Sequence, residues 1–177
     1  MKIILLLFIC LCTSLTGQID LSLTTQVYPT GIIPGVQIDK IIRENQALSF
    51  RLGYQFIDHR DLGVHDDEIG EGIGFTIGYR RYSGRNPSKF FWALKNDIWW
   101  NNIEWYDLNM MGKRTNGLTD LTVLQPTAEI GIQIIAESGL FFSPTLAFGW
   151  EWNIKTNGEP TGQGAILLIG IQMGKRF

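Results

Sequence analysis

The stretch Leu140 to Lys155, LFFSPTLAFGWEWNIK, separates into two faces when its side chains are read with a period of two. One face is apolar and comprises Leu140, Phe142, Pro144, Leu146, Phe148, Trp150, Trp152 and Ile154. The other is mostly small or polar and comprises Phe141, Ser143, Thr145, Ala147, Gly149, Glu151, Asn153 and Lys155. A period of two is typical of a β-strand. The 12 steps from Leu140 to Trp152, at ~3.4 Å each and tilted by ~45°, rise about 29 Å, which matches the hydrocarbon thickness of a bilayer. We therefore expect a strand of a transmembrane β-barrel, with its apolar face toward lipid.

The same alternation recurs along the chain and predicts eight strands. Their approximate ranges are 21–27, 35–42, 47–57, 72–80, 92–101, 124–134, 140–155 and 167–177. An even number places both termini on one side of the membrane. The predicted connections 1-2, 3-4, 5-6 and 7-8 are longer than the other three, which is the asymmetry of outer-membrane barrels with short periplasmic turns and longer extracellular loops. The predicted fold is an all-β, eight-stranded antiparallel up-and-down barrel.

Aromatic residues on the apolar parity fall into two bands under this arrangement, as expected for rings at the two headgroup levels. The outer band contains Phe56, Trp100, Trp150 and Trp152, and the periplasmic band contains Tyr79, Trp92, Phe142 and Phe177.

The first residues have the layout of a secretory signal peptide, predicted over 1–17. Lys2 precedes an apolar run from Ile3 to Cys12 that is too short to span a bilayer, and small polar residues follow. Both cysteines, Cys10 and Cys12, lie in this segment, so we expect the mature barrel domain, 18–177, to contain no thiol.

The composition limits the remaining possibilities. A chain of 177 residues allows one domain, and a formal charge of -2 argues against nucleic-acid binding, which needs a basic surface. The mean hydropathy of +0.04 is near zero because alternating strands average their two faces.

The last strand, ILLIGIQMGKRF, ends in the aromatic Phe177. With the signal segment, the alternating strands and the loop asymmetry, the chain resembles the small eight-stranded outer-membrane barrels of the OmpX and OmpA transmembrane type in Gram-negative bacteria, often called the porin family. The resemblance implies an integral outer-membrane location, contact with outer-membrane lipids, and recognition by the barrel-assembly machinery through Ile169, Ile171, Met173 and Phe177. Lys175 departs from the pattern, in which an aromatic or apolar residue is usual.

Six charged residues on the inward parity are candidates for a lumenal polar network: Arg51, Arg80, Lys95, Asp97, Glu129 and Glu151. An eight-stranded barrel has an interior that side chains fill, so we expect buried ion pairs that plug the lumen. A gated ion path or a proton relay is the alternative for these residues.

The predicted second outer loop, HRDLGVHDDEIGEG, gathers His59, His65, Asp66, Asp67 and Glu68. Such a cluster suggests a divalent cation, but the spacing matches no known metal motif, so a solvated acidic loop is expected and no metal or cofactor is predicted. Some barrels of this size are lipid deacylases with a His and a Ser on the outer wall. Neither histidine falls on a predicted strand, and no enzyme is expected.

The expected function is a structural or surface-interaction role through the extracellular loops, with a partner that the sequence does not identify. The alternative is a small-solute channel or a small-ligand-binding barrel. A soluble lipocalin-like barrel would enclose its apolar face and would leave the two aromatic bands without a purpose.

Overall fold

The computed structural model describes residues 17–60, 64–83, 90–108 and 113–177. Of the predicted signal peptide, everything before Gly17 lies outside the described residues. The strands are β1 (Ile19–Tyr28), β2 (Gly31–Arg43), β3 (Gln46–Arg60), β4 (Asp67–Tyr82), β5 (Phe90–Leu108), β6 (Arg114–Ile132), β7 (Ile134–Ile135), β8 (Leu140–Asn157) and β9 (Gly164–Arg176). No helix long and apolar enough to cross a membrane occurs among the residues described.

The strands form a closed antiparallel ring. Neighbours in sequence pair with each other except β6 and β7, β1 closes the ring against β9, and β8 pairs with both β6 and the short β7. Because β7 continues β6 after Gln133, the nine strands occupy eight positions. This confirms the predicted eight-stranded up-and-down barrel.

The strands are inclined to the barrel axis. Cα partners followed around the ring from Ile19 reach Leu167 on β9, which lies two residues before Ile169, the partner of Val27. Extending the β1–β9 register by two residues places Leu167 opposite Pro29, just past the end of β1, so the ring closes with an offset from position 19 to position 29. Such a stagger is the geometric consequence of tilting strands by roughly 35–45° in a barrel.

Burial alternates along every long strand, with the apolar parity outside. Leu23 is 68% exposed and Trp152 47%, whereas Arg51 and Arg80 on the inner parity are at most 1% exposed. This is the inverse of a water-soluble protein. It fits a wall in contact with acyl chains, since lipid requires a closed ring that leaves no unpaired strand edge.

Several strand boundaries differ from the sequence expectation. The β1–β2 connection, expected to be long, is the two-residue turn Pro29–Thr30, and β2 begins at Gly31. The β4–β5 connection, expected to be short, spans 83–89. The predicted connection 104–120 is largely strand, because β5 runs to Leu108 and pairs with β6 from Arg114.

The extra length on the outer side is therefore strand as well as loop. The hairpins β3–β4 and β5–β6 continue their pairing past Trp100, whose partners are Ile73 and Thr122, up to Arg60–Asp67 and Leu108–Arg114. We call the part of β3–β6 beyond Trp100 the extracellular sheet. The alternation of the sequence is weaker there because no lipid requires an apolar outer face, so the pattern resembles that of a loop.

Candidate functional site

Ion pairs fill the lower half of the lumen, beginning at the end where the termini lie. Arg176 donates from Nε and Nη2 to the two oxygens of Asp20, both at 2.6 Å. Gln133 bridges the pair, since its Nε2 donates to Asp20 at 3.1 Å and its Oε1 accepts from Arg176 at 3.2 Å. These contacts join the first strand to the last across the closure of the ring.

Arg80 on β4 is the centre of the next level. Its Nη1 lies 3.3 Å from Asp39 Oδ2 and its Nη2 lies 3.4 Å from Glu129 Oε1, and all three side chains are fully buried. Lys95 Nζ contacts the other oxygen of Glu129 at 2.6 Å. Two cations therefore meet two carboxylates, which removes the large cost of an unpaired charge in a dry interior.

Arg51 on β3 forms the third level. Its Nη2 lies 2.8 Å from Asp97 Oδ1, its Nε donates to Thr76 Oγ1 at 2.9 Å, and its Nη1 donates to Gln26. The guanidinium lies 5.7 Å from the ring centroid of Trp99. Each of its three nitrogens thus has a hydrogen-bond acceptor.

Above this level an apolar cluster occupies much of the lumen beside the hydrogen-bonded Gln55 and Asn101, and sequence analysis did not predict it. Trp99 is completely buried and donates through Nε1 to Gln125 at 3.0 Å. The cluster around it contains Tyr28, Ile33, Ile57, Trp99, Ile103, Leu121, Val123, Ala147, Ile166 and Leu168. Ile33, Ile57 and Ile103 lie at or beyond the ends of the predicted strands. The alternation there does not assign them to the lumen.

Five of the six predicted lumenal residues form ion pairs with one another, and the sixth does not. The structure places Arg51 with Asp97, and Arg80 and Lys95 with Glu129, whereas Glu151 is only partly buried and stands outside these pairs. Asp20, Asp39, Gln133 and Arg176 complete the network and were not among the candidates. Their inward parity was the available signal, but their partners depend on how distant strands meet.

Glu68 organises the outer mouth of the barrel. Its carboxylate is fully buried and accepts from the amides of Val64 at 2.9 Å, His65 at 3.3 Å and Gly162 at 3.2 Å, and it lies 3.0 Å from His59 Nδ1. Gly162 belongs to the β8–β9 loop, 158–163. One carboxylate therefore holds the β3–β4 connection and this loop together over the opening.

His65 makes a second link between the same parts. Its Nδ1 lies 2.8 Å from Asp107 Oδ2 and its Nε2 lies 3.0 Å from the carbonyl oxygen of Pro160. The ring also stacks on Trp105 with centroids 4.2 Å apart. The imidazole therefore joins the β3–β4 connection to both β5 and the β8–β9 loop.

Hydrogen bonding also sets the acidity of two of these carboxyls, which lie beyond Trp100 and outside the membrane-spanning part. Burial favours a higher pKa for Glu68, but the hydrogen bonds from His59 and the three amides outweigh it and hold the pKa below the ordinary value. The hydrogen bond from His65, followed by that from the Asp66 amide, lowers the pKa of Asp107. Both groups are thus ionised at neutral pH.

The two histidines do not form the cluster suggested by the sequence. His59 and His65 take different carboxylates, and no group of three His, Cys, Asp or Glu side chains suitable for a metal ion occurs within 17–60, 64–83, 90–108 and 113–177. The expectation that neither histidine lies on a strand is wrong for His59, because β3 runs to Arg60. Its ring is mostly buried against Glu68 rather than placed on the lipid-facing wall.

A cavity of about 350 Å³ opens beside this mouth. Tyr28, His59, Glu151 and Gly162 contribute to its lining. Glu151 therefore faces an accessible space rather than the ion pairs below.

The other predicted sets lie on the outer wall. The girdle residues Phe56, Trp92, Trp100, Phe142, Trp150 and Trp152 are each more than a third exposed, and Tyr79 packs against Trp92 with centroids 5.9 Å apart. Ile169, Ile171, Met173 and Phe177 also face outward.

Comparison with known proteins establishes the fold. No family model matches the chain, and no curated protein matches it. Three solved structures are similar over nearly the whole chain. The N-terminal β-barrel domain of Pseudomonas aeruginosa OprF has a TM-score of 0.50 and 11% identity, covering 91% of this chain and 98% of that one. Neisserial surface protein A has a TM-score of 0.51 and 13% identity, covering 90% and 95%.

The attachment invasion locus protein Ail of Yersinia pestis has a TM-score of 0.51 and 8% identity, again covering 90% and 95%. Identities this low carry information about fold alone, and the fold agrees with the apolar outer wall and the closed ring. The chain therefore has the fold of the small eight-stranded outer-membrane β-barrels.

Proposed function

We propose that this protein is a non-enzymatic barrel with a closed lumen, which holds the extracellular sheet above the membrane as a binding surface for another protein. The observation that carries the proposal is an unpaired edge. The last pair between β6 and β8 is Asp120–Asn157, while β6 continues to Arg114. Among the described residues, no strand pairs with Arg114–Leu118 on the side away from β5.

The closed lumen is supported by two consecutive barriers. The ion pairs around Arg80 and Arg51 occupy the lower part, and the apolar cluster around Trp99 occupies the part above. An ion would have to displace paired charges and then pass the tightly packed side chains around Trp99, and both steps are costly. The barrel then serves as a rigid support for the extracellular sheet.

The free edge of β6 supports the binding role. An unpaired strand edge presents backbone amide and carbonyl groups that another extended chain can pair with. Arg114, Thr115, Asn116 and Leu118 are exposed, and the β5 strand behind them is paired throughout. The partner that fits is an extended segment of a protein, added as a further strand, with side chains contributing specificity.

Peptide selection on the barrel in lipid nanodiscs tests this role. A displayed library of random peptides should yield sequences that bind the wild-type protein and not empty discs. Their binding should be lost in the double variant Thr115→Lys/Asn116→Lys, because lysines on an edge block strand addition.

The variant Ile69→Lys is the matched control, since Ile69 is exposed on the face of the same sheet, away from the edge. Binding should survive in this control. Failure to enrich any peptide, or equal binding to the double-lysine variant, would overturn the proposed binding role.

A small-solute channel or ligand-binding barrel is the alternative function. The cavity of about 350 Å³ beside Glu151 is the observation in its favour. A channel would have to pass ions through the levels of ion pairs around Arg80 and Arg51. A ligand-binding barrel would have to bind its ligand only in the cavity at the outer mouth.

A further inference from the structure

The two ends of the outer wall differ in their charged residues. At the end where the termini lie, the strand residues Lys40, Arg43, Arg81 and Lys175 are all basic and lie on the outward parity or at the rim. At the opposite end, the outward residues are mixed in sign. The acidic ones are Asp58, Glu71, Glu104 and Asp120, and the basic ones are Arg60, Arg114 and Lys155.

The strand register places the four basic residues directly below the apolar band. Arg81 is the Cα partner of both Gln46 and Trp92, and Gln46 is also the partner of Arg43. Lys40 pairs with Ile19 and Leu48. These neighbours are girdle or lowest-level wall residues, so the cations lie at the headgroup level, where long basic side chains reach out of the hydrocarbon.

Lys175 extends the same level around the ring. It pairs with Leu21 on β1 and Leu140 on β8, and its Nζ lies 5.3 Å from the ring centroid of Phe177. The four residues thus follow the rim across β4, β2 and β9. We call them the basic belt.

Carboxylates at this end do not share the outward position of the belt. Asp20 and Asp39 are completely buried in the lumen, bound by Arg176 and Arg80. Glu44 and Glu137 lie in the turns 44–45 and 136–139 rather than on the wall. Among the described residues, the outward strand positions at this level therefore carry basic side chains, and the exposed carboxylates of Glu44 and Glu137 lie in the turns beyond them.

We propose that Lys40, Arg43, Arg81 and Lys175 bind the phosphate groups of anionic phospholipids in the leaflet at the end of the barrel where the termini lie. Basic residues at a membrane surface attract anionic lipids within a Debye length. At the opposite end, the carboxylates of Asp58, Glu71, Glu104 and Asp120 offset the attraction of the basic residues beside them for the same lipids.

Trp92 reports on this site because it lies directly opposite Arg81. The fluorescence of Trp92 is obtained by subtracting the emission spectrum of Trp92→Phe from that of the wild-type protein. Both proteins are folded into phosphatidylcholine vesicles that contain phosphatidylglycerol. Bromine on the acyl chains of either lipid quenches a nearby tryptophan. At equal mole fraction, brominated phosphatidylglycerol should quench Trp92 at least about twofold more than brominated phosphatidylcholine.

The variant Lys40→Gln/Arg43→Gln/Arg81→Gln/Lys175→Gln should abolish this excess, and Arg60→Gln/Lys155→Gln should leave it unchanged. Trp100, measured by difference with Trp100→Phe, should show no excess at the other end. If the quadruple variant does not fold, the two double variants Lys40→Gln/Lys175→Gln and Arg43→Gln/Arg81→Gln should each lose part of the excess. Equal quenching by both lipids in the wild-type protein, or an excess unaffected by these substitutions, would overturn the proposal.

Discussion

Glu68 accepts the amide hydrogen of Gly162 with both carboxylate oxygens at 3.2 Å, and this contact fastens the β8–β9 loop to β4 across the mouth of the barrel. The two residues are 94 positions apart in sequence. One buried side chain therefore makes a main contact that holds this loop over the mouth, beside the contact between His65 and Pro160.

Glu68→Gln should release the β8–β9 loop while the barrel remains folded. The neutral amide is a weaker acceptor and leaves some of the surrounding donors unsatisfied, at a cost of about 1–3 kcal/mol. A nitroxide on Glu159→Cys reports on the loop, because the chain has no cysteine beyond Cys12. Its electron paramagnetic resonance spectrum should sharpen in Glu68→Gln and remain broad in the surface control Glu104→Gln.

Acidification should loosen the same loop. The folded pKa values of Glu68 and Asp107 lie below their ordinary values of 4.5 and 3.8. A lowered carboxyl pKa contributes stability that is present above the ordinary value and is lost as the pH falls through the folded pKa. The nitroxide should therefore be immobile at neutral pH and become mobile below about pH 4. A spectrum unchanged down to the acid unfolding of the barrel would contradict this prediction.

Arg80→Met should strongly destabilise the barrel. It leaves Asp39 without its cation and Glu129 with only Lys95, and breaking a buried pair costs about 3–5 kcal/mol. The neighbouring Arg81→Met removes an equal charge from the exposed wall and should cost less than about 1 kcal/mol. Urea unfolding in lipid vesicles, followed by tryptophan fluorescence, measures both. Similar midpoints for the two variants would argue against a structural role for the lumenal pairs.

Gly74→Ala should also destabilise the barrel, because a Cβ there would lie 2.2 Å from the Trp99 ring and 2.4 Å from the Ile98 carbonyl oxygen. Overpacking of this kind costs about 1–3 kcal/mol. Gly53→Ala is the milder comparison, since its Cβ would meet the same ring at 2.9 Å. The same unfolding assay should rank the wild-type protein first, Gly53→Ala second and Gly74→Ala last.

The alternation of the sequence was sufficient to predict an apolar outer wall and a closed eight-stranded barrel. It also predicted that Arg51, Arg80 and Lys95 point inward, because a period of two determines the face of every strand residue. It was insufficient for partners such as Asp20 and Arg176, which meet only through closure of β1 on β9. Register between distant strands and the tilt of the ring decide such contacts. The length of the extracellular sheet was missed for another reason, since polar residues on both faces resemble a loop once lipid is absent.

Single-channel recording in a planar bilayer tests the closed lumen most directly. The purified wild-type barrel, inserted under conditions in which a porin gives clear steps, should show no stepwise current across the accessible voltage range. Folding of the same preparation is verified by its heat-modifiable gel mobility. Reproducible unitary steps from the folded protein would contradict the closed lumen and favour the channel alternative.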